Sequence, residues 1–320
     1  MLRDVRDRRV LIIGSSGQIG SELVRAISPE FPVIALDRRH LDVTDSAAIH
    51  SAFERYRPFI VINAAAYTAV DRAETEQELA RQVNAVAPGR LADAARRFDC
   101  AIVHYSTDYV FDGRKRGKYV ETDAANPLNV YGRTKYEGEL AVAASGARNI
   151  VLRTSWVYSE HSSNFLKTIL RLAAERPRIQ VVNDQWGTPN AAGSLALSTL
   201  EILRKEVERD QDVPFRNTTG TYHLSAGGGT TWFAFAQRIL ETYNRRAGCL
   251  NQVPQLRVEE LEPITTDQYG APAIRPMNSV LDSSKISNTY GLPLPWWTTD
   301  VEGVISRMLE TRTMAGADKL

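Results

Sequence analysis

A short apolar run, Val10 to Ile13, ends in Gly14-Ser15-Ser16-Gly17-Gln18-Ile19-Gly20, and a helical pattern opens near Gln18. Few turns join a strand to a helix so tightly. Glycine permits the unusual backbone angles, and the missing side chains let a pyrophosphate reach amide groups at the positive end of the helix. Glycine-rich turns also join strands to helices that bind nothing, so the context decides. Further apolar runs, Val33 to Leu36, Ile60 to Asn63, Ala101 to Tyr105 and Ile150 to Arg153, alternate with segments of helical length and spacing, Ser46 to Tyr56, Glu76 to Phe98 and Thr134 to Ala144. This alternation predicts βαβ units and an α/β fold with a Rossmann-type, doubly wound parallel sheet, in which ligands bind beyond the carboxyl ends of the strands.

At 320 residues the chain exceeds the usual size of one core, so a second, smaller unit is expected. After about Ser155 the pattern loosens: Arg176 to Pro189 and Gly227 to Gly229 read as loops, and Pro263 to Pro276 is rich in Pro, Gly and Thr. Residues 1–155 are therefore expected to form the dinucleotide-binding domain, with the chain returning to it around 186–220. Residues 156–320 would mainly build a smaller C-terminal substrate-binding lobe. Trp296 to Leu309 has the pattern of an amphipathic helix, and the tail from Met314 to Leu320 is expected to fray.

With 39 basic against 38 acidic side chains, the formal net charge of +1 gives no field for nucleic acid. Any anionic ligand must be held locally. Met1 to Arg9 is charged and no apolar stretch resembles a signal peptide or a membrane span, so a cytoplasmic protein with no membrane partner is expected. The two cysteines, Cys100 and Cys249, are far apart and lie outside any CxxC pattern, which points to two reduced thiols. The five histidines, His40, His50, His104, His161 and His223, show no metal-ligand spacing, so no metal is expected.

Asp37 ends the second strand roughly 20 residues past the glycine turn, the separation at which an acid accepts hydrogen bonds from an adenosine ribose. Alone, it would read as a strand-end cap. Arg38 and Arg39 follow, and a guanidinium there suits a 2′-phosphate that Asp37 would repel. NADH and NADPH both stay open. Of the 12 tyrosines only Tyr131 has a lysine four residues later, Lys135. On a helix the two share a face, and a nearby ammonium lowers a phenol from its ordinary value near ~10, making it a usable acid. A YxxxK spacing arises readily by chance on a surface helix, and it gains weight only from the glycine turn. In His104-Tyr105-Ser106-Thr107-Asp108-Tyr109-Val110-Phe111, a hydroxyl at Ser106 or Thr107 would orient a substrate carbonyl beside the tyrosine. His104, inside an apolar run, reads as a hydrogen-bonded interior residue and not as a base.

On the glycine turn, Asn63-Ala64-Ala65-Ala66 and the YxxxK pair, the chain resembles the extended short-chain dehydrogenase/reductase superfamily over nearly its whole length. Longer strings resemble the branch that reduces dTDP-linked 4-keto sugars: Tyr67-Thr68-Ala69-Val70-Asp71-Arg72-Ala73-Glu74, Ser106 to Phe111, Asn129-Val130-Tyr131-Gly132, Arg153-Thr154-Ser155-Trp156-Val157-Tyr158 and Asn183-Asp184-Gln185. The resemblance implies reduction of the C4 ketone of dTDP-4-dehydro-L-rhamnose by NADPH or NADH. It implies dinucleotide contacts from Gly14, Gly17, Gln18, Ile19, Gly20, Asp37, Arg38, Asp42, Val43, Ala65, Ala66, Tyr67 and Thr68, and a nucleotide-sugar site at Thr107, Asp108 and Trp156. Tyr131 would donate the proton to O4, Lys135 would hold the nicotinamide ribose and tune the phenol, and Thr107 would complete the catalytic set.

Three departures from the family pattern touch the substrate side and the metal. Asn190 stands where threonine is usual, Gly270-Ala271 replaces a usual Pro-Thr, and Gly193 occupies a position where some members place a magnesium-binding glutamate to accompany Glu22. Magnesium is thus not supported by the sequence, and a homodimer stays open. Two rivals remain: another NAD-dependent sugar-nucleotide epimerase or dehydratase, and a non-catalytic regulatory subunit with the same fold.

Overall fold

Strands β1 (Val10–Ile13) and β3 (Ile60–Asn63) bury every residue, which a strand does when helices cover both faces of its sheet. The computed structural model describes residues 8–248 and 255–317. The expectations for the start of the chain before Arg8 and for Cys249 fall outside these residues. With β2 (Val33–Leu36), β4 (Ala101–Thr107), β5 (Asn149–Thr154) and β6 (Gly220–His223), the strands form one parallel sheet in the order β6-β5-β4-β3-β1-β2. The order reverses between β1 and β3, which is where such sheets open a crevice beyond their carboxyl ends.

One face of the sheet packs against α1 (Gln18–Ile27): Leu23 and Ile27 meet Leu195, Ala196 and Leu203 of a later helix, Ala192–Arg209. The other face is covered by α2 (Ser46–Tyr56), α3 (Ala87–Arg97) and α4 (Val130–Ala144), with Phe53, Leu91 and Val142 in the same apolar cluster. A separate core lies in the C-terminal lobe, where Phe165–Glu175, Trp232–Ala247 and Trp297–Ala317 enclose Ile169, Phe235 and Val301. Among the described residues no helix is long and apolar enough to cross a membrane. Cys100 is buried, and burial pushes its thiol up to about 12.

The structure corrects three expectations. The stretch Arg176 to Pro189, read as a loop, contains a strand, Arg178–Val182, paired in parallel with Glu260–Ile264. Its partner lies far along the chain, so no local pattern announces the pairing. The helix expected from Thr134 begins at Val130, because the Oδ1 of Asn129 accepts the N–H of Gly132 at 2.7 Å and starts it one turn earlier. The last helix continues to Ala317, four residues into the segment expected to fray, and the rest of that segment, 318–320, lies outside the described residues.

Candidate active site

The glycine turn is built by steric necessity at two points. Gly14 sits at φ +81°, and a Cβ there would lie 2.6 Å from the backbone nitrogen of Ala65; at Gly20 it would lie 2.1 Å from the carbonyl oxygen of Gly14. Gly17 is the N-cap of α1 and offers no side-chain cap, so the first-turn amides face the crevice without a covering side chain. These features fit a dinucleotide pyrophosphate. Gln18 has a second task, since its amide accepts from Ser159 Oγ at 3.1 Å and from Asn164 Nδ2 at 2.9 Å, tying the turn to the C-terminal lobe.

Asp37 stands at the end of β2 as expected, but its carboxylate is already engaged. Arg39 folds back on it with its backbone N–H at 3.0 Å and Nη2 at 2.6 Å, and His40 Nδ1 lies at 2.7 Å. The Arg39 guanidinium, then His40, holds the carboxyl well below the usual range. Of the two arginines considered for a 2′-phosphate, Arg39 is thus paired, and Arg38 is exposed. Asp42 accepts from the N–H and hydroxyl of Thr44 at 2.9 and 2.7 Å, and Val43 is buried.

A cleft of about 510 Å³ follows, walled by Gly17, Gln18 and Ile19 on one side, by Ala66 and Thr68 beyond β3, and by Thr107, Asp108, Tyr131, Lys135 and Trp156. Ala65 packs behind this wall against Gly14. Tyr67 turns its hydroxyl to Glu76 Oε2 at 2.7 Å, away from the cleft, while Asn84 clamps the Tyr67 backbone from both sides at 2.8 and 3.0 Å. Asn84 is fully buried on a π-turn, Gln82–Val86, an irregularity that breaks the long helix expected there. No spacing in the sequence marks it.

Tyr131 and Lys135 lie one turn apart at the start of α4. Thr107 and Ser106 line the cleft beside Tyr131, but the Ser106 hydroxyl donates to Glu139 and so is already engaged. The expected lowering of the phenol is not found. Tyr131 keeps part of its surface open, but the protein packed around its hydroxyl pushes it up to about 12 against the pull of Thr107. The reason is where Lys135 points: its Nζ donates to the carbonyl of Tyr105 at 2.6 Å and lies 3.5 Å from His104 Nε2. Burial brings Lys135 down to about 8, opposed by Glu139 one turn further along. Glu139 in turn takes a two-pronged bond from Arg153, with Nη2 at 2.6 Å, deep in the protein. Asp108, accepting from Thr107 at 3.0 Å, is pushed by burial up to about 7.

Trp156 has φ +44° and stacks on Trp232 with ring centroids 3.5 Å apart. Its indole fills the space above Gly187, where a Cβ would lie 2.3 Å from the ring. Asn190, one of the departures, does not face the cleft. It is buried beneath it, donating to the carbonyls of Ser155 and Thr188 at 2.8 and 2.9 Å and accepting from Ala226 N–H at 2.7 Å. Gly270 caps the helix Thr266–Tyr269 at φ +63°. Gly193 does face Glu22, as a Cβ there would lie 3.4 Å from its Oε2. His161, which no spacing linked to an acid, comes beside Glu22 and Glu160 with one ligand atom of each within 4.8 Å. Both carboxylates already carry guanidinium partners, Arg25 and Arg307.

Comparison with known proteins covers almost the whole chain. Residues 8–310 match the family model described as the RmlD substrate binding domain. The chain is 40% identical over 309 residues to the dTDP-4-dehydrorhamnose reductase of Salmonella typhimurium, covering 95% of this chain and 99% of that protein. Among solved structures it superposes on the dTDP-4-dehydrorhamnose reductase ortholog of Clostridium acetobutylicum with a TM-score of 0.84 at 34% identity, covering 94% of this chain and 99% of that one. The corresponding Bacillus anthracis structure, a complex with NADP, gives a TM-score of 0.82 at 33% identity over 93% of this chain and 98% of its own.

Proposed function

The chain belongs to the dTDP-4-dehydrorhamnose reductase family, and from that premise we propose how its residues divide the reduction of dTDP-4-dehydrorhamnose to dTDP-rhamnose between them. A bound NAD(P)H supplies the hydride to C4. The glycine turn and the first-turn amides of α1 hold the pyrophosphate, Asp37 and Arg38 face the adenosine end, and Ala66 to Thr68 line the nicotinamide side. Trp156 and Asp108 hold the nucleotide sugar. Tyr131 gives its proton to O4 as negative charge gathers there, and the Thr107 hydroxyl turns from Asp108 to donate beside it.

The observation that supports this assignment is the gathering of Thr107, Tyr131 and Lys135 in one cleft that the glycine turn also lines. A phenol at about 12 keeps its proton until the reaction draws it away. Lys135, with Nζ one turn along the same helix face, turns from the Tyr105 carbonyl toward the nicotinamide ribose when cofactor is bound and favours phenolate as it forms. We divide the chain accordingly into a dinucleotide domain, 1–155 with the return at 186–220, and a substrate lobe in the remainder. A cytoplasmic setting accords with a nucleotide-sugar substrate and a soluble nicotinamide pool.

Tyr131→Phe removes the acid and almost no volume. We expect turnover of dTDP-4-dehydrorhamnose to fall roughly a hundred- to ten-thousand-fold while NAD(P)H still binds, read by quenching of cofactor fluorescence. Undiminished turnover would remove Tyr131 from the role.

A further inference from the structure

Behind Lys135 runs a row of polar groups that proton donation by Tyr131 does not use. Asn63 and His104 sit opposite each other on β3 and β4, and both are at most 1% exposed. The Asn63 amide nitrogen lies 3.1 Å from Nδ1 of His104, and Nε2 of that ring lies 3.5 Å from Nζ of Lys135. In a closed interior each donor needs an acceptor, so the sense of every bond in the row follows from any one of them.

The fixed one is at the strand end. The backbone N–H of Ala65 donates to Oδ1 of Asn63 at 3.1 Å. With its oxygen so engaged, Asn63 presents only N–H groups to the imidazole. Nδ1 of His104 must therefore accept, and a neutral ring then carries its proton on Nε2. That Nε2–H points at Lys135. An ammonium has no lone pair to receive it, whereas a neutral amine has one and still donates to the Tyr105 carbonyl at 2.6 Å.

We propose that His104 is a positioning residue for Lys135: the row from Ala65 through Asn63 and His104 has two settings, and the Asn63 orientation seen here selects the amine. In the other setting Lys135 is an ammonium, Nε2 accepts, Nδ1–H donates to a turned-over Asn63, and the Ala65 N–H gives up its acceptor. The charge of the lysine is thereby tied to a backbone amide just behind the proposed cofactor wall. The remaining groups facing Lys135 are few: Glu139, held by Arg153 and Ser106, favours the ammonium, and Tyr131 precedes it on the helix. Burial, and then Lys135 itself, keeps His104 neutral well below the ordinary histidine range, so the ring changes tautomer and not charge. The proposal rests on Tyr131 and Lys135 being the proton-transfer pair.

The test is a titration of histidine-¹⁵N-labelled protein, with His104 identified by the resonance lost in His104→Gln, beside the pH profile of kcat/KM. The expected result is a neutral His104 that passes from Nδ1–H to Nε2–H as pH rises, at the midpoint of the alkaline limb of kcat/KM. His223 provides the control: it is buried with Nδ1 3.1 Å from the Tyr119 carbonyl and should stay Nδ1–H throughout. Asn63→Asp keeps an oxygen for Ala65 and gives His104 an acceptor, so it should hold Nδ1–H at every pH and move the limb up by about one pH unit. A single tautomer for wild-type His104 from pH 5 to 10 overturns the proposal, as does an unmoved limb in Asn63→Asp; either measurement decides alone. An active Tyr131→Phe would instead remove the parent assignment and leave the tautomer pattern as it is.

Discussion

Tyr131 and Lys135 illustrate how far spacing reaches and where it stops. The four-residue interval places both side chains on one helix face, and the glycine turn makes that face worth inspecting. What the interval does not contain is the third dimension: the carbonyl of Tyr105 that draws Lys135 inward, the burial that pushes Tyr131 up to about 12 and Lys135 down to about 8, and the Glu139–Arg153 pair beneath them. Asn84 was illegible for the same reason, and Asn63 was quoted as part of a string without its bond to His104, since a buried amide is recognised by what it bonds and not by its neighbours in sequence. The titration has a kinetic consequence. Lys135 is charged below about 8 and loses its proton as pH rises through that value, while Tyr131 keeps its own over the whole range. The kcat/KM of the wild type should therefore fall on the alkaline side from near pH 8, the profile of kcat/KM reporting the free enzyme. A flat profile to pH 10 would show that the lysine charge does not enter.

Five of the six strands of the sheet were readable nearly to the residue, while the sixth, Gly220–His223, and the start of the helix bearing Tyr131 were not. Short fully apolar runs can be little else than buried parallel strands when helices alternate with them, whereas the start of α4 depends on one cap. Asn129 accepts from Gly132 at 2.7 Å and donates to the Ile274 carbonyl at 2.8 Å, so it both begins the helix bearing Tyr131 and pins a loop of the C-terminal lobe to it. Asn129→Ala should cost about 1 kcal/mol of stability for the cap, with a further loss from the unpaired Ile274 carbonyl. It should also lower kcat, because the first turn carries the acid. Denaturant unfolding and steady-state rates together check this; a stable variant with reduced kcat would place the effect in positioning alone. The strand Arg178–Val182 marks the opposite limit, because its partner among the described residues is a distant parallel segment that no local pattern could reveal.

At the scale of the whole molecule, two cores meet across one cleft and are joined by bonds that belong to neither alone. Gln18 reaches from the glycine turn to Ser159 and Asn164, and Arg275 crosses to Asp71 at 2.8 Å just beyond the cofactor wall. These bonds would couple the proposed cofactor and sugar sites, which suits an enzyme that must bring a hydride and a proton to one carbonyl group. The epimerase and regulatory alternatives make a different use of the same architecture, the first returning its hydride to the substrate and the second transferring none. The most direct measurement is the balance of that hydride: purified protein, dTDP-4-dehydrorhamnose and NADPH or NADH, with cofactor oxidation followed by absorbance and the product identified by NMR. One cofactor oxidised for each dTDP-rhamnose formed is the predicted result. Conversion of the sugar with no net oxidation of added cofactor, or no conversion at all, would contradict it.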